Sequence, residues 1–275
     1  MEEKSQLSDS ERQRRSGVFG DVASHYERFR PGPPAAAIKW MLPEHVATVV
    51  DLGAGTGAMT KDLLPVATRV IAVEPDDRMR DVLAHSLPSV LAPKGFGEAI
   101  PLEDASADAV VASASWHWMD ADLAVPEVAR VLVDGGTLGV VWAGPDPDGP
   151  FLAQSRAMLS QMSSRRDVDD PDLGDTVMDS DNRVDSVLRL PLGAPFTTPE
   201  HQVLTWDVAL TADELIGMLG TFSWILTMED ERRAFVIAEA RRLLRDALGV
   251  HGDVTVDVQY RSEAWRTKKR GASQP

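Results

Sequence analysis

The segment VVDLGAGTGAMT, residues 49–60, carries the side chains and spacing best suited to hold a ligand. Its three glycines, Gly53, Gly55 and Gly57, stand at alternate positions after an apolar run and the acid Asp51. Glycine lets the backbone turn sharply and come close to a ligand, as where a strand enters a helix. A glycine turn with a purely structural role is the alternative.

Two ligand classes fit this loop. Gly53, Gly55 and Ala58 satisfy the dinucleotide pattern G-x-G-x-x-A. Glu74 follows about 20 residues later, where a ribose-binding acid belongs. Asp51, however, places an anion where a pyrophosphate would lie, and it suits a cationic ligand better. The loop alone therefore leaves open a nicotinamide-dependent oxidoreductase and an enzyme that binds a cationic ligand.

Apolar runs and helical segments predict the elements that position these residues. The runs ATVVDLG, TRVIAVEP, ADAVVASAS and GTLGVVWAG alternate with helical stretches, after a short helix in AAAIKWMLP. This alternation predicts a parallel sheet with helices on both faces. Glu98 lies where a third strand is expected to end. A closing strand–helix–strand segment, whose helix starts at a capping box of Thr211 and Glu214, predicts an antiparallel edge pair.

Composition limits the classes of partner and compartment. The chain of 275 residues has no cysteine, which removes disulfides and thiolate metal sites. Its net charge of −15 argues against a nucleic-acid partner. The charged start has no apolar signal core and no apolar run is long enough to span a membrane, so we expect a cytoplasmic protein. The expected oligomeric state is a monomer or a homodimer. The Asp-rich run 167–181 does not have the glycine and the bidentate glutamate together at the spacing of a calcium loop, so no metal site is expected.

The motifs together resemble those of class I S-adenosylmethionine-dependent methyltransferases. Within them, the chain is similar to the small-molecule branch that includes trans-aconitate-methyltransferase-like proteins, with a methyltransferase type 11 domain. The matching segments are VVDLGAGTG, VIAVEPDDRM, GEAIPLEDASADAVVASASWHWMD and EVARVLVDGGTLGVV, and Phe19 to Pro31 matches the lid of the branch. The resemblance covers residues 18–145 well and the C-terminal part loosely. It implies a Rossmann-like α/β sheet, mostly parallel with an antiparallel C-terminal edge strand, and S-adenosyl-L-methionine as cofactor.

The resemblance also implies a domain plan. The strand rhythm is lost at GPDPDGP, residues 144–150. The resemblance barely covers residues 145–200, where family members differ and acceptors are chosen. The expected parts are a disordered tail 1–17, a cofactor-binding core with an N-terminal lid helix 18–144, an inserted cap or acceptor region 145–200, the C-terminal part of the core sheet 201–266 and a tail 267–275.

Cofactor-binding roles follow from the matched motifs. Glu74 is expected to take both ribose hydroxyls, because a carboxylate has two oxygens. Asp51 is expected to orient the methionine ammonium group through water or the backbone, with a capping role as the alternative. Glu98 or its neighbouring amide is expected to meet the adenine edge. Met79 could pack on the adenine face. The complete predicted set is Tyr26, Arg30, Asp51, Gly53, Ala54, Gly55, Gly57, Glu74, Pro75, Met79, Gly97, Glu98, Ala99, Ser115 and Trp116.

The acceptor side centres on SASWHWMD, residues 113–120, which follows a predicted strand. His117 could act as a general base, because the reference pKa of histidine, about 6.5, lies near neutral pH. The alternative is a histidine that only hydrogen-bonds the cofactor or the backbone. The residues expected to line the acceptor pocket are His25, Trp118, Trp142 and Trp224.

These features favour O-methylation of a neutral small molecule. Seven tryptophans against two tyrosines suggest flat apolar surface, which suits a sugar, aromatic or polyketide-like hydroxyl acceptor. The alternative is a carboxylate acceptor, which needs no base but needs a cationic clamp from Arg30, Arg261 or Arg266. A nicotinamide-dependent oxidoreductase and a non-catalytic cofactor-binding protein are the remaining alternatives.

Overall fold

The structure, a computed structural model, describes residues 32–150, 153, 186–220, 225 and 228–271. Within these ranges, six strands form one sheet. The elements in chain order are α1 Ala35–Met41, β1 Thr48–Leu52, α2 Ala58–Leu63, β2 Arg69–Val73, α3 Asp77–Ser86, β3 Ala107–Ser113, a 3-10 turn Trp116–Trp118, α4 Ala121–Val131, β4 Leu132–Pro145, β5 Glu200–Thr211, α5 Ala212–Leu219, α6 Asp230–Leu248 and β6 Thr255–Lys268.

In the strand order, β2-β1-β3-β4-β6-β5, the side on which successive strands are added reverses at β1. The chain passes from β1 to β2 on one side, and β3 then pairs with β1 on the other. In open α/β sheets, ligands bind outside the C-terminal strand ends at such a reversal. The glycine loop after β1 and the segment SASWHWMD after β3 therefore meet at the same crevice.

The predicted mixed sheet is confirmed. Strands β2, β1, β3 and β4 are parallel, whereas β6 runs antiparallel to both β4 and β5. The antiparallel strand β6 thus lies one position inside the edge, and β5 forms the edge itself.

Helices cover both faces, as the near-continuous apolar strands predict. On one face, α1 and α2 pack against the sheet through a cluster that includes Ile38, Leu63 and Val49. On the opposite face, α4 contributes Val125 and Val128 to a second cluster. Two-sided burial leaves the strand ends as the place where polar side chains can meet a ligand.

The C-terminal part forms its own apolar cluster on the β5–β6 pair. Leu215 of α5 and Leu244 of α6 pack against Val258 and Tyr260. The capping box of Thr211 is present and starts α5 as predicted. Strand β6 continues to Lys268, two residues into the range expected as a tail. Among the described helices, none is long and apolar enough to cross a membrane.

The expectation that Glu98 follows the end of a third strand is wrong. The run before it makes one isolated bridge, from Leu91 to Ile71 of β2. The carbonyls of Leu91 and Pro93 accept hydrogen bonds from β2 and from Glu74. Pro93 has no N–H to return, so the segment cannot extend into a strand ladder.

Candidate active site

The glycine loop connects β1 to α2 and lies against the ends of β2 and β3. The N–H groups of Gly53 and Ala54 donate to the carbonyl of Val73 at 2.8 and 3.2 Å. Gly53, Gly55 and Gly57 all have positive φ values, 70°, 58° and 97°. A side chain at Gly53 is further excluded, because its Cβ would lie 2.6 Å from Cβ of Ser115. At the glycine positions the loop therefore presents its backbone, without side chains, to the crevice.

Glu74 follows β2 and is held in place by the glycine loop. Its side chain is buried, and Oε2 accepts a hydrogen bond from the N–H of Gly55 at 2.8 Å. Oε1 accepts from the N–H of Asp76 at the start of α3, also at 2.8 Å. Burial raises the pKa of Glu74, and these two backbone hydrogen bonds act in the opposite direction. Each carboxylate oxygen has a second lone pair, so both can still accept a hydroxyl.

Asp51 is fully buried near the end of β1. Thr60 of α2 donates its hydroxyl to Oδ2 at 2.6 Å, whereas Oδ1 has no hydrogen-bond partner within the part of the chain described. Burial raises the pKa of Asp51 to about 7, the hydrogen bond from Thr60 opposes that rise, and the charge of Glu74 adds to it. A buried carboxylate oxygen without a partner is costly unless a ligand pairs with it.

These features fit S-adenosylmethionine better than a dinucleotide. Oδ1 of Asp51 suits an ammonium group, the carboxylate of Glu74 suits a vicinal diol, and the bare loop allows close approach. The carboxylate of Asp51, when ionised, would repel a pyrophosphate at the loop. Of the residues that would hold the cofactor, Glu74 is thus already oriented by backbone hydrogen bonds and Asp51 by the hydroxyl of Thr60.

The raised pKa of Asp51 predicts that cofactor binding releases a proton. An ammonium group beside Oδ1 favours the ionised carboxylate, so the pKa falls on binding. Affinity for S-adenosylhomocysteine should then weaken as pH falls below about 7, by up to about tenfold per pH unit. Calorimetry near pH 6.5 in two buffers of different ionisation enthalpy counts the protons. We expect up to about one proton from the native chain and about none from Asp51→Asn; equal release from both would contradict the assignment.

The residues predicted for adenine lie in a tight turn. Phe96 and Ala99 exchange backbone hydrogen bonds, with Glu98 at the turn's tip. One oxygen of Glu98 accepts from the N–H of Asp120 at 2.7 Å, which ties the turn to the start of α4. Gly97 is buried against Met119, whose side chain would have to move to admit a Cβ at this position. The adenine contact of Glu98 and its neighbours stays a prediction.

Met79 of α3 borders the glycine loop, and the predicted residue Pro75 lies between β2 and α3. A Cβ at Gly55 would lie 3.8 Å from Sδ of Met79, so this methionine is next to the loop. Pro75 and Met79 are both half-buried. The placement is compatible with packing on a ring, and their contact with adenine stays a prediction.

The end of β3 carries a strained residue that the sequence did not indicate. Ala114 has a positive φ of 49°, which is uncommon for a residue other than glycine. Its N–H donates to Val141 of β4, and the next hydroxyl, on Ser115, donates to Leu52 at the end of β1, both at 2.8 Å. Strained backbone persists where the surroundings over-determine it, often at functional sites. Ser115 therefore joins β1 and β3 at the crevice.

His117 lies on the 3-10 turn and is held from β4. The indole N–H of Trp142 donates to Nδ1 of His117 at 3.1 Å. The ring of Trp118 stands 4.6 Å from the imidazole, centroid to centroid. Because an indole N–H cannot accept, Nδ1 is the unprotonated nitrogen and Nε2 carries the proton of the neutral ring. Because the lone pair of Nδ1 already accepts from Trp142, this arrangement argues against His117 acting as a general base. The role of His117 in catalysis stays a prediction.

The tryptophans predicted at the mouth differ in their burial. Trp116 and Trp142 are both buried in the apolar cluster on the α4 face, whereas Trp118 is half-buried. Core packing therefore accounts for Trp116 better than cofactor contact does. Trp142 lies behind His117, and Trp118 is better placed to meet an acceptor.

Of the two described arginines proposed as a clamp for a carboxylate acceptor, only Arg261 lies on the same sheet face as Trp142. It is the cross-strand partner of Gly144 and pairs with Glu263 at 2.6 Å. Glu263 is in turn the partner of Trp142, so these side chains share a face. Arg266 instead stacks over Trp40 on the opposite face and pairs with Glu200, which removes it from the proposed clamp.

Several predicted residues lie outside the described part of the chain. These are His25, Tyr26, Arg30, Trp224 and the Asp-rich run 167–181. The tail 1–17 and most of the expected lid and cap also fall there.

Comparison with known proteins gives consistent results. A model described as a methyltransferase domain matches residues 50–140. An uncharacterised methyltransferase of Mycobacterium tuberculosis (strain ATCC 25618 / H37Rv) is 38% identical over 226 residues, which are 82% of this chain and 85% of the relative. An uncharacterised methyltransferase-like protein of Schizosaccharomyces pombe (strain 972 / ATCC 24843) is 28% identical over 257 residues, 92% of this chain and 95% of the relative.

Solved structures show the same fold. A protein of Anaeromyxobacter dehalogenans, provisionally assigned as a type II methyltransferase, has a TM-score of 0.60 at 23% identity and covers 88% of this chain and 98% of its own. A Haemonchus contortus phospholethanolamine N-methyltransferase 2, in complex with phosphomonomethylethanolamine and S-adenosylhomocysteine, has a TM-score of 0.50 at 14% identity, covering 96% of this chain and 61% of its own. With the motifs, the sheet and the relatives in agreement, the chain belongs to the class I S-adenosylmethionine-dependent methyltransferases.

Proposed function

We propose that this enzyme methylates an oxygen of a small organic molecule that enters beside His117. Family membership removes the nicotinamide-dependent alternative, because the enzyme is a methyltransferase. S-adenosylmethionine supplies the electrophilic methyl group when bound. Glu74 and Asp51 hold the donor, and the segment after β3 holds the acceptor, so that proximity and alignment lower the barrier.

The observation that carries the choice of acceptor is the hydrogen bond from Trp142 to Nδ1 of His117. A neutral hydroxyl must lose its proton, and the only lone pair on neutral His117 already accepts from the indole. A carboxylate oxygen needs no base and can accept a hydrogen bond from Nε2–H. Among oxygen acceptors we therefore favour a carboxylate. Methylation of the sugar, aromatic or polyketide-like hydroxyl expected from composition becomes the second candidate.

The surface beside this pair also favours a polar acceptor. Arg261 and Glu263 share a sheet face with Trp142, and both side chains are partly exposed. Val203, the partner of Glu263 in β5, is exposed as well. An acceptor that extends from His117 along this face would meet the cation of Arg261, the anion of Glu263 and the exposed side chain of Val203.

Methyl transfer from radiolabelled S-adenosylmethionine to a panel of phenols, sugars, carboxylic acids and amines tests the proposal. Alkali releases methanol from a methyl ester but not from an ether, so the product identifies the acceptor atom. Label in an alkali-labile product supports carboxyl methylation, and label in a stable ether supports the hydroxyl class. Label on nitrogen would contradict O-methylation, and cofactor binding without transfer to any acceptor would indicate a non-catalytic binding protein.

The variant His117→Gln separates the two acceptor classes kinetically. Glutamine keeps a hydrogen-bond donor but cannot act as a base at neutral pH. With a carboxylate acceptor we expect kcat to fall by less than about tenfold, the worth of one neutral hydrogen bond. If His117 were the base, the loss would be about 10²–10⁴-fold. A loss in that range, with unchanged cofactor affinity, would restore the base role.

A further inference from the structure

We infer that Trp142 is a positioning residue that holds neutral His117 with its proton on Nε2, so that His117 donates a hydrogen bond to the acceptor. The inference depends on the proposed function only in placing an acceptor oxygen beside His117. The tautomer itself follows from a contact between two side chains of this chain. His117 would then recognise the acceptor rather than deprotonate it.

The chemistry of the two groups determines the direction of the hydrogen bond. The indole nitrogen of Trp142 lies 3.1 Å from Nδ1 of His117. An indole N–H can donate but never accept, so Nδ1 must present its lone pair. A proton on Nδ1 would place two N–H groups against each other. The neutral imidazole therefore carries its proton on Nε2, which is a donor in whatever contact it makes.

Trp142 has little freedom to release His117. It lies within β4, where it is flanked by Val141, which pairs with β3, and opposed by Glu263 of β6. Its side chain is buried in the apolar cluster that also contains Trp116. Turning the indole away would leave its N–H buried without a partner, which is unfavourable.

The backbone fixes the other partner. Two hydrogen bonds close the 3-10 turn around His117, from Trp118 to Ser115 at 3.0 Å and from Met119 to Trp116 at 3.1 Å. The ring of Trp118 contacts the imidazole at 4.6 Å between centroids. The fold thus imposes the tautomer before any ligand arrives.

A fixed donor gives selectivity among acceptors. An oxygen with lone pairs, such as a carboxylate or a carbonyl beside the reacting group, can accept from Nε2–H. An ammonium or amide N–H in that position would face another donor and would be disfavoured. Trp142 therefore influences acceptor choice without touching the acceptor.

Nuclear magnetic resonance of the ¹⁵N-histidine-labelled chain tests the tautomer without cofactor or acceptor. The chain has six histidines, and His117→Asn identifies the signals of His117 by their loss. At a pH where the ring is neutral, long-range ¹H–¹⁵N correlations should show Nδ1 unprotonated and Nε2 protonated. Trp142→Phe should convert this pattern to a mixture of tautomers. The matched variant Trp40→Phe, on the opposite sheet face beside Arg266, should leave it unchanged.

A proton on Nδ1 of His117 in the native chain would overturn the inference, and this result needs no variant. An unchanged tautomer in a folded Trp142→Phe would overturn it as well. Once an acceptor is known, Trp142→Phe should lower kcat/KM about 3- to 10-fold, the worth of one neutral hydrogen bond, with unchanged affinity for S-adenosylhomocysteine. An equal loss of cofactor affinity would mean that Trp142 only supports the fold. The expected tautomer in a chain that methylates nothing would contradict the proposed function and leave this inference intact.

Discussion

Glu74→Ala should weaken binding of S-adenosylhomocysteine by about 10- to 150-fold, which corresponds to about 1.5–3 kcal/mol for hydrogen bonds to a charged group. The variant removes the carboxylate that we assign to the ribose hydroxyls. It also leaves the N–H groups of Gly55 and Asp76 without their 2.8 Å partner, so the loop loses its support. Isothermal calorimetry on folded protein measures the affinity.

Two variants separate ribose binding from a general effect of charge. Glu74→Gln keeps one carbonyl oxygen and should fall between the native chain and Glu74→Ala. Glu231→Ala removes an exposed acid at the start of α6 and should bind like the native chain. Native affinity in Glu74→Ala would contradict the ribose assignment.

Gly53→Ala should lower both stability and cofactor affinity. The left-handed backbone costs about 1–2 kcal/mol for any residue other than glycine. The new methyl group would also stand 2.6 Å from Cβ and 2.8 Å from Oγ of Ser115. Overpacking of this kind costs about a further 1–3 kcal/mol of stability. The ends of β1 and β3 must then separate at the crevice. We expect a decrease in Tm of about 5–10 °C and a loss of affinity of about tenfold or more.

Gly135→Ala is the matched control for the backbone term. Gly135 also has a positive φ, 79°, but a Cβ there would meet nothing within 4 Å. Its loss of stability should be the smaller one, and cofactor affinity should not change. Adding Ser115→Gly to Gly53→Ala removes the overlap and should recover part of the loss. Equal effects of Gly53→Ala and Gly135→Ala would show that close approach of the strand ends is unimportant.

Much of the fold and the donor half of the site could be predicted because the signals are local. The apolar runs around Val50 and Ile71 give strands, and Thr211 with Glu214 gives a helix start. Glycines after one strand and Glu74 after the next lie in a spacing that parallel strands impose. Their contact, the hydrogen bond from Gly55 to Glu74, follows directly from that topology.

The acceptor half depends on long-range packing that spacing does not reveal. The bond from Trp142 to His117 joins residues 25 apart and requires β3 and β4 to be neighbours in register. Arg266 was grouped with Arg261, yet an odd number of strand positions separates them, so they point to opposite faces. The strand expected before Glu98 fails because Pro93 cannot donate. In each case, the deciding partner lies on another element.

A crystal structure with S-adenosylhomocysteine bound would locate the donor relative to Glu74 and His117. We predict both ribose hydroxyls within hydrogen-bond distance of the carboxylate of Glu74, about 2.5–3.0 Å. We also predict the amino group near Oδ1 of Asp51, and the sulfur facing the segment that carries His117. A ribose bound away from Glu74, or a sulfur directed away from that segment, would contradict the account of how this enzyme brings donor and acceptor together.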